Sequence, residues 1–343
     1  MSTQETPKVT VLIPVRDRER YIPAAIESVL GQTMVDLELL VVDDASSDAS
    51  CQAVLAYADP RVRLVRNETH LGIPATRNRG IDLARGQYVA FLDSDDTARP
   101  ERLEKQVAFL DAHPAHAAVG AWIEWMDEQG RPLGRVKRKA TRAEDIAAER
   151  LFRTCLENSA STARAELLRK YRHREHYELG SDYDLWARIA ADHKLSTLPE
   201  VLVYRRSHSG RTTRGKVERI KGLRLEIFAE QLAGLGVAFE SEDLERHYLL
   251  RRMHKTEFRP DAAYLAWAGS WLSRLAQANA SRGCYPEPEF TRVLAGFWLK
   301  ACWFATPALG VGAWRSFWSS PLRRGAWPEL RRSLGRRVFR SSA

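Results

Sequence analysis

Three carboxylates occur within four residues of one another in this sequence, at Asp93, Asp95 and Asp96. Like charges this close favour protonation of one another unless a cation lies among them. Asp93 and Asp95 form an Asp-Ser-Asp motif directly after the apolar run "YVAFL", and such a pair could share a divalent cation. Hard oxygen ligands suit Mg²⁺ or Mn²⁺, which also bind diphosphate oxygens. Alternatively, the motif is a loop in which Asp96 or Thr97 caps the helix that begins near Pro100.

Two more groups of polar residues could contact a nucleotide. Asp43 and Asp44 follow the apolar run "LELLVV", and one of these carboxylates could accept a hydrogen bond from a base N–H or a ribose hydroxyl. Their context, "DDASSD", is also typical of turns and helix caps. Arg77, near the start of a predicted helix, could contact a phosphate by charge-assisted hydrogen bonds or remain in solvent.

Candidate acid–base residues lie further along the chain. In "LGSDYDLWARI" one of Asp182 and Asp184 could be a general base and the other a helix N-cap. His208 ends a predicted strand, where its imidazole could bind a metal or a phosphate. A histidine in solvent is the commoner case.

Alternating strands and helices must position these side chains. Apolar runs predict strands over Val9–Pro14, Leu37–Asp44, Val62–Arg66 and residues 88–93, with amphipathic helices between them. This rhythm indicates βαβ units and a parallel sheet covered on both faces. Ligands bind such sheets at the carboxyl ends of the strands. The polar segments that follow the first, second and fourth strands should therefore converge on one crevice.

The second half of the chain has a different rhythm. We predict a β-hairpin that turns at Glu128–Gly130, a helix over Arg142–Cys155, a helix over Tyr183–His193, and two short strands around Pro199. Helical patterns dominate after Thr213. The expected organisation is a domain over residues 1–213, with halves at 1–97 and 98–213, followed by a helical, Trp- and Arg-rich region over 214–343.

Composition narrows the class of protein. The 343 residues are 44% hydrophobic and carry a net charge of +9. Eight arginines and one glutamate follow Trp314, so the basic character belongs to the tail. No nucleic-acid-binding motif accompanies these arginines. Residues 291–343 could instead contact a membrane surface, or their helices could simply pack on the preceding domain or on a second subunit. The four cysteines are scattered and the N-terminus is polar, which favours a cytoplasmic protein, peripheral on the membrane at most.

The ordered set of motifs resembles the family 2 glycosyltransferases of the GT-A fold. The similarity covers residues 7–213 and rests on the stretches "VTVLIPVRDRERYIPAAIESVLGQT", "LELLVVDDASSD", "GIPATRNRGIDLARGQYVAFLDSDD", "PERLEKQ" and "SDYDLWARIA…LPEVLVYRRSHSG". The resemblance implies an α/β fold with a Rossmann-like, mostly parallel sheet flanked by helices, here extended by a mainly α-helical C-terminal region. It also implies a nucleotide-diphosphate sugar as donor, commonly a UDP-sugar, and inversion at the anomeric carbon.

The resemblance also assigns roles to individual residues. Donor binding is expected of Pro14, Val15, Arg16, Asp44, Arg77, Asp93, Ser94 and Asp95. Asp95 should bind Mn²⁺ or Mg²⁺, with Asp93 and His208 as further metal ligands, and Asp182 should be the base. The sequence departs from the family pattern at Ser181, where the family has Glu, at Arg16-Asp17 in place of Tyr-Asn, and in a short Glu157–Gly180 segment. These departures concern the acceptor side more than the donor side.

The sequence therefore predicts a metal-dependent, inverting glycosyltransferase. It would move a sugar to a hydroxyl of a glycan or lipid-linked acceptor by direct displacement, as in polysaccharide biosynthesis of the cell envelope. One alternative is a nucleotidyltransferase, although "PVRDRER" lacks the glycines that such enzymes carry after the first strand. Another is a non-catalytic, membrane-associated binding protein. The oligomeric state stays open, with a dimer among the alternatives.

Overall fold

The first part of the chain alternates strands and helices, as the sequence predicts. Residues 6–208 and 215–325 are described by the structure, a computed structural model. The strands are β1 (Val9–Val15), β2 (Leu37–Asp43), β3 (Val62–Arg66) and β4 (Tyr88–Phe91), and the helices are α1 (Ile22–Leu30), α2 (Ser50–Leu55) and α3 (Ile73–Leu83). The strands pair in parallel in the order β3-β2-β1-β4. Their carboxyl ends therefore share one edge of the sheet.

Helix α3 lies unusually close to β1. A Cβ atom at Gly80 would stand 2.2 Å from Cδ1 of Leu12, so the contact requires a residue without a side chain. Both Leu12 and Ile81 are fully buried in this contact region. The close packing fixes the position of α3, which carries Arg77 toward the carboxyl end of the sheet.

The second part of the sheet mixes parallel and antiparallel pairs. It contains β5 (Thr97–Ala98), β6 (His116–Met126), β7 (Pro132–Lys137), β8 (Thr162–Arg164) and β9 (Lys194–Arg206), with helices α4 (Arg102–Ala112), α5 (Ala143–Glu149), α6 (Ala165–Tyr171) and α7 (Ser181–Asp192). Strand β8 joins β4 to β6 by antiparallel pairing, and β9 runs parallel to β6. The predicted hairpin is confirmed: β6 and β7 are antiparallel, and the turn contains Gly130 with φ of +89°.

Two predictions about this part were wrong in detail. The two short strands expected around Pro199 are one strand, β9. Leu198 pairs with Ala121 and Val201 with Trp122, so Pro199 and Glu200 bulge out of the ladder, where a proline without an N–H is tolerated. The helix expected over Arg142–Cys155 ends at Glu149. Strand β8 and helix α6 had no clear sequence signal.

The last part of the described chain is helical, as expected. It comprises α8 (Val217–Leu235), α9 (Ser241–Arg252), α10 (Ala262–Arg282), α11 (Glu289–Leu309) and α12 (Val311–Ser319). The described residues form two compact units: one ends at Ile220 and is interrupted by Ala147–Arg153, and the other contains Ala147–Arg153 and the residues from Lys221 onward. The expected boundary at residue 213 lies outside the described residues. Among the described helices, none combines the length and apolar character needed to cross a bilayer.

Candidate active site

The carboxyl ends of β1, β2 and β4 open into one pocket of about 420 Å³. Its wall contains all the residues that the sequence predicts for donor binding, namely Pro14, Val15, Arg16, Asp44, Arg77, Asp93, Ser94 and Asp95. Asp182, the predicted base, lines the same pocket. Residues as far apart in sequence as Pro14 and Asp182 are thus brought together, and their roles remain predictions.

Asp44 is the most heavily hydrogen-bonded carboxylate of this pocket. It accepts hydrogen bonds from the Leu71 and Gly72 backbone N–H groups at 2.8 and 2.9 Å and from Asn67 Nδ2 at 2.8 Å, and it lies 2.7 Å from His70 Nδ1. Burial alone would raise the pKa of Asp44, but these hydrogen bonds lower it below its ordinary value. Asp44 therefore stays ionised and fixes the loop that leads into α3.

Arg77 and Asp93 form an ion pair on the pocket wall. Arg77 Nη2 lies 2.9 Å from Asp93 Oδ1, and the residue is only 8% exposed. The buried Arg77 Nε has no hydrogen-bond partner among the described residues. The Asp93 backbone N–H also donates a hydrogen bond to Ser159 Oγ at 3.0 Å, so the ion pair is held in place from two sides. The Arg77 guanidinium is therefore fixed on the pocket wall.

The predicted metal ligands divide into two groups. His208 Nε2 lies 2.7 Å from Asp95 Oδ2, whereas Asp93 turns toward Arg77. In residues 6–208 and 215–325, no three His, Cys, Asp or Glu side chains converge as a metal-binding group. A carboxylate with an imidazole still fits Mg²⁺ or Mn²⁺, because such ions often take one or two protein ligands and complete their coordination with substrate phosphates and water.

Asp96 does not cap α4, contrary to one of the two expectations. Its Oδ1 accepts a hydrogen bond from the Arg206 backbone N–H at 3.0 Å, and α4 begins without a side-chain cap. Asp96 is 2% exposed. Burial, with the charges of Asp95 and Asp93 adding to it, raises the pKa of Asp96 to about 8. One of the three clustered carboxyls is therefore neutral near pH 7, which relieves part of the repulsion within the cluster.

Asp182 and Asp184 have different surroundings on the first turn of α7. Neither caps the helix, as had been expected of one of them, because Gly180 occupies the N-cap position with φ of +95°. Asp184 is buried and pairs with Arg188 at 2.7 Å and Arg174 at 3.5 Å. The Asp182 carboxylate forms no hydrogen bond or ion pair within the described residues and faces the pocket. Two arginines therefore hold Asp184, whereas no side chain of the described residues holds Asp182.

Several pocket residues were not predicted from the sequence, among them Glu157, Asn158 and Arg205. Glu157 and Arg205 pair at 3.2 Å, and Asn158 lies between Glu157 and Ser159 in a short 3₁₀ turn. Both amide atoms of Asn158 are buried without a hydrogen-bond partner among the described residues. The polar triplet "ENS" was the only signal in the sequence for the first two of these residues, and it is weak by itself.

Comparisons with known proteins agree with this geometry. Residues 10–168 match the family model described as glycosyl transferase family 2. An uncharacterized glycosyltransferase of Methanocaldococcus jannaschii is 29% identical over 204 residues, which cover 58% of this chain and 70% of that protein. The Escherichia coli UDP-Glc:alpha-D-GlcNAc-diphosphoundecaprenol beta-1,3-glucosyltransferase WfgD is 41% identical over 102 residues, 30% of this chain and 40% of that protein.

A solved structure shares the fold. TarS residues 1–349 from S. aureus, in complex with UDP-GlcNAc, superposes with a TM-score of 0.58 over 88% of each chain, at 19% sequence identity. At this identity the likeness establishes the fold and does not extend to the substrate.

Proposed function

We propose that this protein is a glycosyltransferase whose donor is a nucleotide-diphosphate sugar, in the first place a UDP-sugar. The match of residues 10–168 to the glycosyl transferase family 2 model and the similarity to proteins named as glycosyltransferases support this proposal. The acceptor would be a hydroxyl of a glycan or a lipid-linked saccharide, and the anomeric carbon would be inverted. The observation that carries this proposal is one pocket that holds the predicted donor residues together with Asp182, whose carboxylate has no ion-pair partner among the described residues. We therefore favour a glycosyltransferase over the two alternative hypotheses, a nucleotidyltransferase and a non-catalytic binding protein.

The donor would bind along the carboxyl edge of the sheet. The loop held by Asp44 and the backbone of residues 14–16 form one side of the pocket, which suits a nucleoside. The Arg77 guanidinium, fixed by Asp93 at 2.9 Å, would donate charge-assisted hydrogen bonds to the diphosphate. These contacts orient the donor before the acceptor arrives.

Transfer would then proceed by one displacement. The acceptor oxygen forms a bond to the anomeric carbon while the bond from that carbon to the diphosphate oxygen breaks. The nucleoside diphosphate leaves with the bonding electron pair, and the acceptor proton passes to the Asp182 carboxylate. Asp182 suits this step because no described side chain competes for its oxygens, whereas Asp184 is held by two arginines.

A divalent cation would be held by Asp95 and His208. When bound, Mn²⁺ or Mg²⁺ neutralises charge on the departing diphosphate. His208 Nε2 and Asp95 Oδ2 lie 2.7 Å apart, so both side chains are close enough to share one cation after a small rearrangement. Asp93 would take part mainly through Arg77.

Product analysis tests the proposed reaction. The full-length protein is incubated with a panel of nucleotide sugars, with Mn²⁺ or Mg²⁺, and with an extract of glycan acceptors. Glycosyl transfer releases nucleoside diphosphate, whereas nucleotidyl transfer releases pyrophosphate. Release of nucleoside diphosphate from at least one donor supports the proposal. Release of pyrophosphate, or failure of all donors to shift the melting temperature, contradicts it.

We also propose that the helical region attaches the enzyme to a membrane surface. Helix α11 exposes Trp303 (53%), and helix α12 exposes Val311 (70%), Arg315 and Trp318 (48%). Exposed tryptophans with arginines suit the boundary between lipid headgroups and acyl chains. The other arginines of the expected contact, from Arg331 onward, lie outside the described residues. Sedimentation with phosphatidylglycerol vesicles tests this, with binding expected to weaken as salt is raised.

A further inference from the structure

A group of cations surrounds one buried carboxylate at the edge of the pocket. Glu157 is 7% exposed and lies 2.5 Å from Lys137, 3.4 Å from Lys139 and 3.2 Å from Arg205. Arg205 also interacts electrostatically with Asp93, Asp96 and Asp182 across the pocket, so the carboxylates of the pocket and Glu157 together balance these cations. Lys139 also donates a hydrogen bond to the Thr154 carbonyl, which anchors the cluster to the turn before β8.

An aromatic ring continues the same surface toward solvent. Trp125 on β6 is directly opposite Arg205 on β9, and the Arg205 guanidinium lies 5.4 Å from the centre of its ring. Arg135 on β7 lies 5.9 Å from the same ring. Two guanidinium groups therefore flank one half-exposed tryptophan. Among the described residues, no carboxylate lies within ion-pair distance of Arg135.

Lys137, Trp125 and Arg205 lie on the face of the sheet that lines the pocket, not on its opposite face. Lys137 is the cross-strand partner of Ile123, and Ile123 lines the pocket together with Arg205 and Glu157. In paired strands, directly opposite residues project to the same face. Strand β7 is exposed along almost its whole length, so a large ligand could lie across this surface and still reach the pocket.

We propose that Arg135, Trp125 and Lys137 form an acceptor subsite that binds a phosphate group attached to the acceptor sugar. A neutral saccharide would leave the Arg135 guanidinium, which has no carboxylate within ion-pair distance among the described residues, without an anionic partner. A guanidinium and an ammonium together match the several oxygens of a phosphate, and the partly exposed Trp125 indole offers an apolar edge to the adjoining sugar ring. The proposal rests on the proposed function, because it names the class of acceptor.

The phosphate could come from two sources that share this chemistry. One is a sugar joined to a lipid through a diphosphate, and the other is a glycan that carries phosphate within its chain. In both, a sugar lies next to a phosphate, which is the arrangement that the indole and the cations would recognise. A short soluble probe tests the shared chemistry before the sources are compared.

The test measures binding to the full-length protein in the presence of saturating UDP, which occupies the donor site. N-acetylglucosamine 1-phosphate is compared with neutral N-acetylglucosamine by calorimetry. The phosphorylated sugar should bind about tenfold more tightly, and Arg135→Gln should remove most of that difference. Arg131→Gln is the matched control, because Arg131 lies on the same hairpin but pairs with Asp127 at 2.7 Å.

Three further outcomes complete the test. UDP affinity should be unchanged in Arg135→Gln, which separates failure of this subsite from failure of the proposed donor site. Equal affinity for the two sugars, or equal behaviour of the two arginine variants, overturns the proposal. Loss of phosphatidylglycerol vesicle binding in Arg135→Gln, with no binding of the sugar phosphate, also overturns it, because the hairpin would then bind a lipid surface.

Discussion

His247 is a buried histidine whose two ring nitrogens are both occupied. It is 0% exposed, stacked against Phe152 at 4.6 Å, and bonded to two partners. Trp271 Nε1–H donates to His247 Nδ1 at 3.1 Å, and His247 Nε2 lies 3.2 Å from the Leu151 carbonyl oxygen. The network assigns the proton to Nε2. A second proton on Nδ1 would face the Trp271 N–H, so the folded unit holds this imidazole neutral.

The buried His247 makes the free energy of unfolding depend on pH. Burial lowers the pKa of His247 from 6.5 to about 4. Above pH 6.5 the residue is neutral in the folded and the unfolded chain, and its contribution to stability is fully present. As pH falls below 6.5 only the unfolded chain gains the proton. The free energy of unfolding therefore falls, by about 2 kcal/mol at pH 5 and by about 3 kcal/mol once pH is below 4.

Urea unfolding at several pH values measures this effect. Tryptophan fluorescence reports on the unit that contains His247, because Trp267 and Trp271 lie in α10 of that unit. The variant His247→Gln can keep both hydrogen bonds but cannot titrate, so its unfolding free energy should fall about 2 kcal/mol less than that of the wild type between pH 7.5 and 5. His254→Gln, a surface substitution in the same unit, should keep the wild-type slope. Equal slopes for wild type and His247→Gln would refute the reasoning.

Three further predictions concern the packing of α3, the diphosphate contact and the proposed membrane surface. Gly80→Ala should lower the free energy of unfolding by about 1–3 kcal/mol because α3 must move away from β1. Gly222→Ala, inside α8 where a Cβ atom meets open space, should instead raise the free energy of unfolding by about 0.5–1 kcal/mol; equal effects would contradict the packing argument. Arg77→Lys should weaken UDP binding by about tenfold in calorimetry, because an ammonium cannot pair with Asp93 and a phosphate in the same planar geometry; unchanged affinity would place the diphosphate elsewhere. The double variant Trp303→Ser and Trp318→Ser should lose sedimentation with phosphatidylglycerol vesicles but keep its melting temperature, and retained binding would remove that surface from the proposal.

The donor side was predictable because local sequence determines it. The strands β1, β2 and β4 are short apolar runs, and the residues after each run must share one edge of a parallel sheet. Asp44, Asp93 and Asp95 follow that rule. Their meeting in one pocket required only the order of strands and helices, which periodicity reveals.

The acceptor side was less predictable because distant contacts determine it. The role of Asp96 depends on the Arg206 backbone N–H, more than a hundred residues away, so local sequence suggested a cap instead. Asn158 and Glu157 reach the pocket through β8, a three-residue strand too short to show a period. Pro199 marked a break in the sequence, but tertiary pairing with β6 carries the strand past it.

The group of cations around Glu157 could not be predicted from the sequence either. Lys137, Lys139 and Arg205 are scattered among many other basic residues in the sequence, which gave no reason to group them. The register of β6 with β7 and with β9 brings these three side chains to the Glu157 carboxylate.

Asp182→Asn tests the central claim most directly, because it removes the proposed base and leaves the donor contacts intact. With a donor and acceptor in hand, release of nucleoside diphosphate should fall by about 10²–10⁴-fold, while calorimetric affinity for UDP stays unchanged. Asp192→Asn, at the far end of the same helix, should transfer sugar at the wild-type rate. Turnover of Asp182→Asn within a few-fold of the wild type would contradict the assignment of the base and the single-displacement reaction built on it.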